Sequence, residues 1–181
     1  MAAQAARPLA LPPMEAYLAV VSKREVREYL ARPLEPEVER QILDAGRVAG
    51  SAKNRQPWTF VVVRDDKAVE AVAESVFEAQ NVRGAAFVVA IVMHGGAGID
   101  AGRSAQNMML AAWALGVGSC PNGIADRVGL ARALGLGEED KVAAVLSFGY
   151  PARSLDAGRH SSEEWIARAR RKPYDEVVRE V

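Results

Sequence analysis

Apolar residues recur along this chain in two ways, which predict helices and strands respectively. Spacings of three and four predict helices over 14–21, 33–50, 68–78, 101–115, 125–134 and 162–171. Short runs rich in β-branched residues predict strands over 59–63, 86–93, 116–120 and 142–148. Residues 86–93 are almost entirely apolar, so we expect this strand to be buried on both faces of a sheet.

The connections and one helix carry further expectations. The segment 80–84 is expected to be a loop, and residues 121–123 (Pro-Asn-Gly) a turn. The helix 101–115 is apolar nearly all round, which predicts a place in a core or an interface. Asp100 stands where a capping residue would begin that helix.

Composition narrows the class of protein. The 181 residues suit one domain, predicted over 14–181, after a loose Ala- and Pro-rich arm over 1–13. Lys+Arg and Asp+Glu both number 23, so no global basic excess points to nucleic acid. No apolar stretch approaches the ~18 residues of a membrane span.

Cysteine and histidine content limits the chemistry further. Cys120 is the single cysteine, so no intramolecular disulfide can form, and we expect a cytoplasmic location. We interpret Cys120 as a small buried hydrophobe rather than a nucleophile. Two histidines far apart in sequence do not suggest a metal site.

The segment 51–63 carries the first candidate chemistry. Asn54 and Gln56 each bear an amide that both donates and accepts hydrogen bonds. Pro57 is expected to bias Gln56 toward an extended backbone. Such a pair of amides at the start of a strand could hydrogen-bond to a flat heterocycle that carries both donors and acceptors. A loop that ends a helix, with Trp58 in the core, is an equal alternative.

Two cationic clusters suggest a phosphate site. Lys23, Arg24 and Arg27 fall within five residues, and clustered cations bind phosphate through charge-assisted hydrogen bonds. A surface cluster partly neutralised by Glu25 and Glu28 is the alternative. The second cluster spans 168–172, where cations could also simply complement the C-terminal end of a helix.

Four motifs in order, followed by a basic run, resemble the nitroreductase family of FMN-dependent oxidoreductases. Residues 23–29 (Lys-Arg-Glu-Val-Arg-Glu-Tyr) are similar to its Arg-Arg-Ser-x-Arg-x-Phe/Tyr opening. Residues 51–58 match Ser-x-x-Asn-x-Gln-Pro-Trp, and 106–116 match Gln-Asn-x-x-Leu-Ala-Ala-x-x-Leu-Gly. Residues 149–151 match a late Gly-Tyr-Pro, and the basic run 170–172 resembles a C-terminal element of the family.

The resemblance implies a fold, a cofactor and a set of site residues. The fold is α+β, with a central, mostly antiparallel sheet flanked by helices in an intertwined homodimer that holds FMN at its interface. Arg27 would lie near the flavin N1/C2 carbonyl, and the Gly123 N–H would point at N5. By position, the remaining contacts would be Lys23, Arg24, Arg170 and Arg171 at the phosphate, Ser51, Asn54 and Gln56 at the ring and ribityl chain, and Pro121 and Asn122 across the ring.

The implied activity is transfer of a hydride from NAD(P)H, through flavin N5, to an electron-poor acceptor by a ping-pong mechanism. Candidate acceptors are nitroaromatics, quinones and free flavin, and no residue is expected to act as acid or nucleophile. The alternatives are a flavin-fragmenting, dehalogenating or azoline-oxidising relative, and a non-catalytic binding module. Glu25 stands where the family usually has Ser, and Gly50 stands where many members have Pro. Both departures affect the geometry of the site at its phosphate end.

Overall fold

The computed structural model describes residues 14–95, 98–137, 139–153 and 156–181, so the arm predicted over 1–13 lies outside the described residues. The helices are α1 (Ala16–Ser22), α2 (Pro36–Arg47), α3 (Asp66–Glu74), α4 (Ala79–Arg83), α5 (Gly98–Ala114), α6 (Arg127–Ala133), α7 (Ser162–Arg168) and α8 (Tyr174–Val177). The strands are β1 (Trp58–Val63), β2 (Phe87–Met93), β3 (Gly118–Asn122) and β4 (Lys141–Gly149).

The four strands form one antiparallel sheet in the order β1-β2-β4-β3. Alternate residues of β2 enter two separate hydrophobic clusters, one on each face of the sheet. Helices α2 and α5 pack together on one face, and α3 and α6 on the other. The predicted α+β fold and the burial of β2 on both faces are therefore confirmed.

A bulge adjusts the pairing of β4 with β2. The register steps from Ala144 opposite Ile91 to Val142 opposite Val92, which leaves Ala143 without a partner in β2. Because one extra residue is inserted, Val142 and Val145 lie in the same cluster although they are three residues apart. The bulge thus keeps both ends of β4 in the core.

An extended segment, residues 23–29, runs beside the outer strand β3. The Val26 N–H donates to the Ser119 carbonyl at 3.0 Å. The Tyr29 hydroxyl donates to the Val26 carbonyl at 2.6 Å, and burial raises the pKa of this phenol. A Cβ on Gly149 would lie 2.8 Å from the Tyr29 ring, so a glycine is needed there. These contacts fix the cationic segment against the sheet.

Three local predictions are wrong. Residues 79–83 form the short helix α4 rather than a loop. Helix α5 begins at Gly98, so Asp100 lies in its first turn, where an acid is still favoured by the helix dipole, and does not cap it. Pro121 and Asn122 are the last two residues of β3 rather than a turn, because they pair with β4 up to Val145.

The described helices include none that is both long and apolar enough to cross a membrane.

Candidate functional site

Lys23 presents a largely buried ammonium at the start of the extended segment. Its side chain is only 6% exposed, and Nζ donates to Glu25 Oε1 at 2.7 Å. Nζ also lies 3.5 Å from Met109 Sδ, on helix α5. The ammonium is therefore positioned by two residues, and Glu25 balances its charge.

Arg24 is held by contacts with two helices. Nη1 donates to the Val21 carbonyl at 2.8 Å, and Nη2 donates to the Trp165 carbonyl at 3.0 Å. The guanidinium lies 4.8 Å from the Trp165 ring centroid, a cation–π distance. Partial burial and the neighbouring Arg171 lower the pKa of Arg24. Two of the predicted phosphate-binding cations thus lie near each other.

Arg27 lies in an open cleft on the outer side of the same segment. The cleft has a volume of about 340 Å³ and is lined by Glu25, Val26, Arg27, Glu28, Pro151 and Arg153. Arg27 also lies close to Cys120, the buried thiol whose pKa is raised by desolvation and lowered less strongly by Arg27. The interpretation of Cys120 as a small buried residue is confirmed.

The loop 51–56 is closed by its own side chains. Ser51 Oγ accepts from the Gln56 N–H at 2.8 Å, and Gln56 Nε2 donates to Asn54 Oδ1 at 3.2 Å. Positive φ angles occur at Lys53 (54°), Asn54 (53°) and Gln56 (49°). The expected extended conformation of Gln56 is therefore wrong. Backbone strain of this kind costs roughly 1–3 kcal/mol per residue and concentrates at functional sites.

At the end of β3, the groups exposed to solvent are the backbone of Gly123 and the ring of Phe77, whereas the polar side chain of Asn122 is buried. Asn122 turns inward, where Nδ2 donates to the Val145 carbonyl at 3.3 Å and to Ser147 Oγ at 3.2 Å. Gly123 is exposed, and its carbonyl accepts from the Phe77 N–H at 2.9 Å. Phe77, whose ring lies beside it, is 75% exposed.

The sequence profile of the Nitroreductase family matches residues 20–96 and 92–150. The chain belongs to the nitroreductase family. A protein of Archaeoglobus fulgidus, provisionally named an NADH dehydrogenase/NAD(P)H nitroreductase, is 30% identical over 149 residues, covering 76% of this chain and 86% of that protein. The predicted family and enzyme class are confirmed.

Solved structures agree with this assignment. A provisionally named nitroreductase of Desulfovibrio desulfuricans, solved in complex with FMN, has a TM-score of 0.79 at 28% identity, covering 94% of this chain and 98% of that one. The NADPH:FMN oxidoreductase of Vibrio harveyi, complexed with NAD⁺, has a TM-score of 0.77 at 22% identity, covering 92% and 77% of the two chains. The second likeness shows the fold.

In this nitroreductase seven of the eleven predicted site residues fall into two sets. The first, which we term the cation set, comprises Lys23, Arg24, Arg27 and Arg171. The second, the amide loop, comprises Ser51, Asn54 and Gln56. Among the described residues, no hydrogen bond or ion pair joins the two sets. Arg170 and Arg171 are exposed beyond α7, and Arg170 has a φ of 50°.

The donors of both sets suit FMN. The cation set offers charged donors for a phosphate. In the amide loop, Asn54 Nδ2 and Gln56 Oε1 hydrogen-bond to no described residue, so one donor and one acceptor face solvent. A flavin ring edge carries both donors and acceptors. Gly123 has an exposed backbone, and a Cβ at this position would lie 3.0 Å from the Phe77 ring.

Glu25 and Gly50, the two departures from the family pattern, each contact a cationic side chain in the structure. Glu25 is the partner of Lys23 in the ion pair described above. Gly50 lies under the guanidinium of Arg103, an α5 residue, and a Cβ at this position would require that flexible side chain to move. Arg103 lines a second surface cleft, of about 420 Å³, with Ile99, Gly102, Gln106 and Asn107.

Phe77 is the residue that sequence reasoning missed. It lies between α3 and α4, in a stretch predicted to be helical, so its exposure could not be read from apolar spacing. The signal available was a large aromatic residue at the end of the predicted helix. Its position became informative only through its contact with Gly123.

Proposed function

We propose that this chain is an FMN-dependent oxidoreductase that passes reducing equivalents from NAD(P)H to an electron-poor acceptor such as a nitroaromatic compound, a quinone or free flavin. The observation that carries the proposal is the pairing of a cation set with an exposed, strained amide loop in one nitroreductase chain. The FMN complex of the Desulfovibrio desulfuricans relative supports the choice of cofactor.

Each set of residues would bind a different part of the cofactor. Lys23, Arg24 and Arg171 of the cation set would hold the phosphate, and the amide loop would orient the ring and ribityl chain. Arg27 would favour negative charge near the N1/C2 carbonyl, and the Gly123 N–H would lie near N5. FMN, when bound, supplies the hydride chemistry, so no acid or nucleophile is required of the protein.

We propose that two copies of the chain complete each site. Lys23 touches α5 at Met109, whereas Gly50, next to the amide loop, touches α5 at Arg103. Six residues of helix separate these points, about 9 Å along the axis. A second copy that brings its amide loop to the cation set would allow both to contact one flavin. The resemblance to the family implies such a homodimer, with FMN at the interface.

Replacing Phe77 by Ala is expected to raise KM for an aromatic acceptor by about tenfold while leaving flavin content unchanged. The exposed ring beside Gly123 would stack on the acceptor, and aromatic stacking contributes about 0.5–1.5 kcal/mol. Steady-state kinetics with a nitroaromatic compound and with ferricyanide, which cannot stack, provide the measurement. Val128→Ala, another exposed apolar residue, is the control. An equal change in KM for both acceptors would contradict stacking.

The proposed function is tested by the visible spectrum of the purified protein. We expect a two-band flavin spectrum, either as isolated or after addition of FMN, that bleaches when NADH or NADPH is added without oxygen. Bound flavin that neither nucleotide bleaches would favour the non-catalytic binding module. A colourless protein that does not take up FMN would refute the cofactor assignment.

A further inference from the structure

The ion pair of Lys23 and Glu25 places a carboxylate at the position where the flavin phosphate is expected. Lys23 is nearly enclosed, whereas the Glu25 side chain is 40% exposed and lines the outer cleft. The pair is short, at 2.7 Å, and Met109 Sδ occupies a second side of the ammonium. An ammonium has three donors, so only one remains free for a ligand.

A phosphate that binds the remaining donor of Lys23 lies next to the Glu25 carboxylate, unless Glu25 turns away. If Glu25 stays, its negative charge lies within a few ångströms of the phosphate dianion, and like charges at that distance repel. If it turns away, the short ion pair is lost. In both cases the phosphate gains less from Lys23 than it would beside a neutral residue. This loss of binding energy affects only the phosphate, because the rest of the flavin is uncharged.

We propose that Glu25 makes this nitroreductase weakly selective for the flavin phosphate, so that riboflavin is accepted almost as well as FMN. The proposal rests on the proposed function, since it concerns the same flavin site. The neighbouring acid Glu28 does not take part, because it is 73% exposed and faces Arg153 at 3.9 Å. Glu28 therefore provides a matched carboxylate on the same cleft.

The test is equilibrium titration of the full-length protein with FMN and with riboflavin, followed by quenching of flavin fluorescence. We expect wild-type Kd values within about tenfold of each other. Glu25→Gln and Glu25→Ser should tighten FMN by about tenfold and leave riboflavin within about threefold, a change worth about 1.4 kcal/mol. Glu28→Gln should leave the ratio unchanged. The gain should shrink at high salt, because Glu25 is partly exposed.

The outcomes separate this proposal from the proposed function. Flavin binding with an FMN/riboflavin ratio that neither Glu25 variant changes would overturn the role of Glu25 and leave the function intact. An equal gain in Glu28→Gln would also overturn it, since the effect would then belong to the charge of the cleft. Failure of all four proteins to bind either flavin would refute the proposed function itself, and this proposal with it.

Discussion

Replacing Lys23 by Ala is expected to weaken FMN binding by about 100-fold. The substitution removes a buried ammonium, and hydrogen bonds to charged groups contribute about 1.5–3 kcal/mol. It also leaves Glu25 without its 2.7 Å partner, so an uncompensated carboxylate would face the phosphate. Fluorescence titration measures the loss, which should be much smaller for riboflavin because riboflavin has no phosphate.

Two controls make the Lys23 result specific. Lys67→Ala removes an exposed lysine from the first turn of α3 and should leave FMN affinity unchanged. The double variant Lys23→Ala/Glu25→Gln should recover part of the lost affinity, because the repelling carboxylate is gone, and the double-mutant cycle isolates the coupling of the pair. An FMN affinity within threefold of wild type in Lys23→Ala would exclude Lys23 from the phosphate site.

Elements whose burial follows a simple period could be predicted from the sequence. Strand β2 is apolar at every residue from Phe87 to Met93, a pattern typical of a short strand covered on both faces. Helix α2 was predicted from one apolar stripe, and Ile42 on that stripe is fully buried. The short helix α4 could not be predicted, because five residues hold too few positions to show a period.

The amide loop was recognised by its residues but not by its backbone. The rule for a residue before proline predicted an extended Gln56, whereas its φ is 49°. Hydrogen bonds from Gln56 to Ser51 and Asn54 close the loop, and such side-chain contacts compete with backbone preferences. The rule for a residue before proline considers only adjacent residues. It does not include a hydrogen bond between residues five positions apart, such as Ser51 and Gln56.

The cationic segment, residues 23–29, also makes contacts with residues distant in sequence that could not be predicted from the sequence. The sequence shows that Arg24 is charged. It does not show that the Arg24 guanidinium contacts the carbonyl and ring of Trp165, 141 residues later. Two distant motifs also meet here. The N–H of Leu30, directly after the first motif, donates to the carbonyl of Tyr150 in the Gly-Tyr-Pro motif at 2.8 Å. Gly149 provides the space for Tyr29. The order of the motifs was therefore informative because the fold joins them.

Removal of residues 173–181 is expected to convert the proposed homodimer to monomers and to abolish flavin binding. Every residue from 170 to 181 is exposed, and the apolar members of this segment are Tyr174, Val177, Val178 and Val181. A four-residue helix such as α8 is not stable without packing. Burying such side chains contributes roughly 1.5–3 kcal/mol each, so we expect this segment to pack on the second copy.

Sedimentation velocity at micromolar concentration measures this change. The triple variant Tyr174→Ala/Val177→Ala/Val178→Ala keeps the length of the segment and should also dissociate, whereas Arg179→Ala/Glu180→Ala removes only exposed charges and should stay dimeric. Since the cation set and the amide loop would come from different copies, flavin content should fall in proportion to the dimer. A truncated chain that is monomeric and still binds FMN tightly would show that one copy forms the whole site.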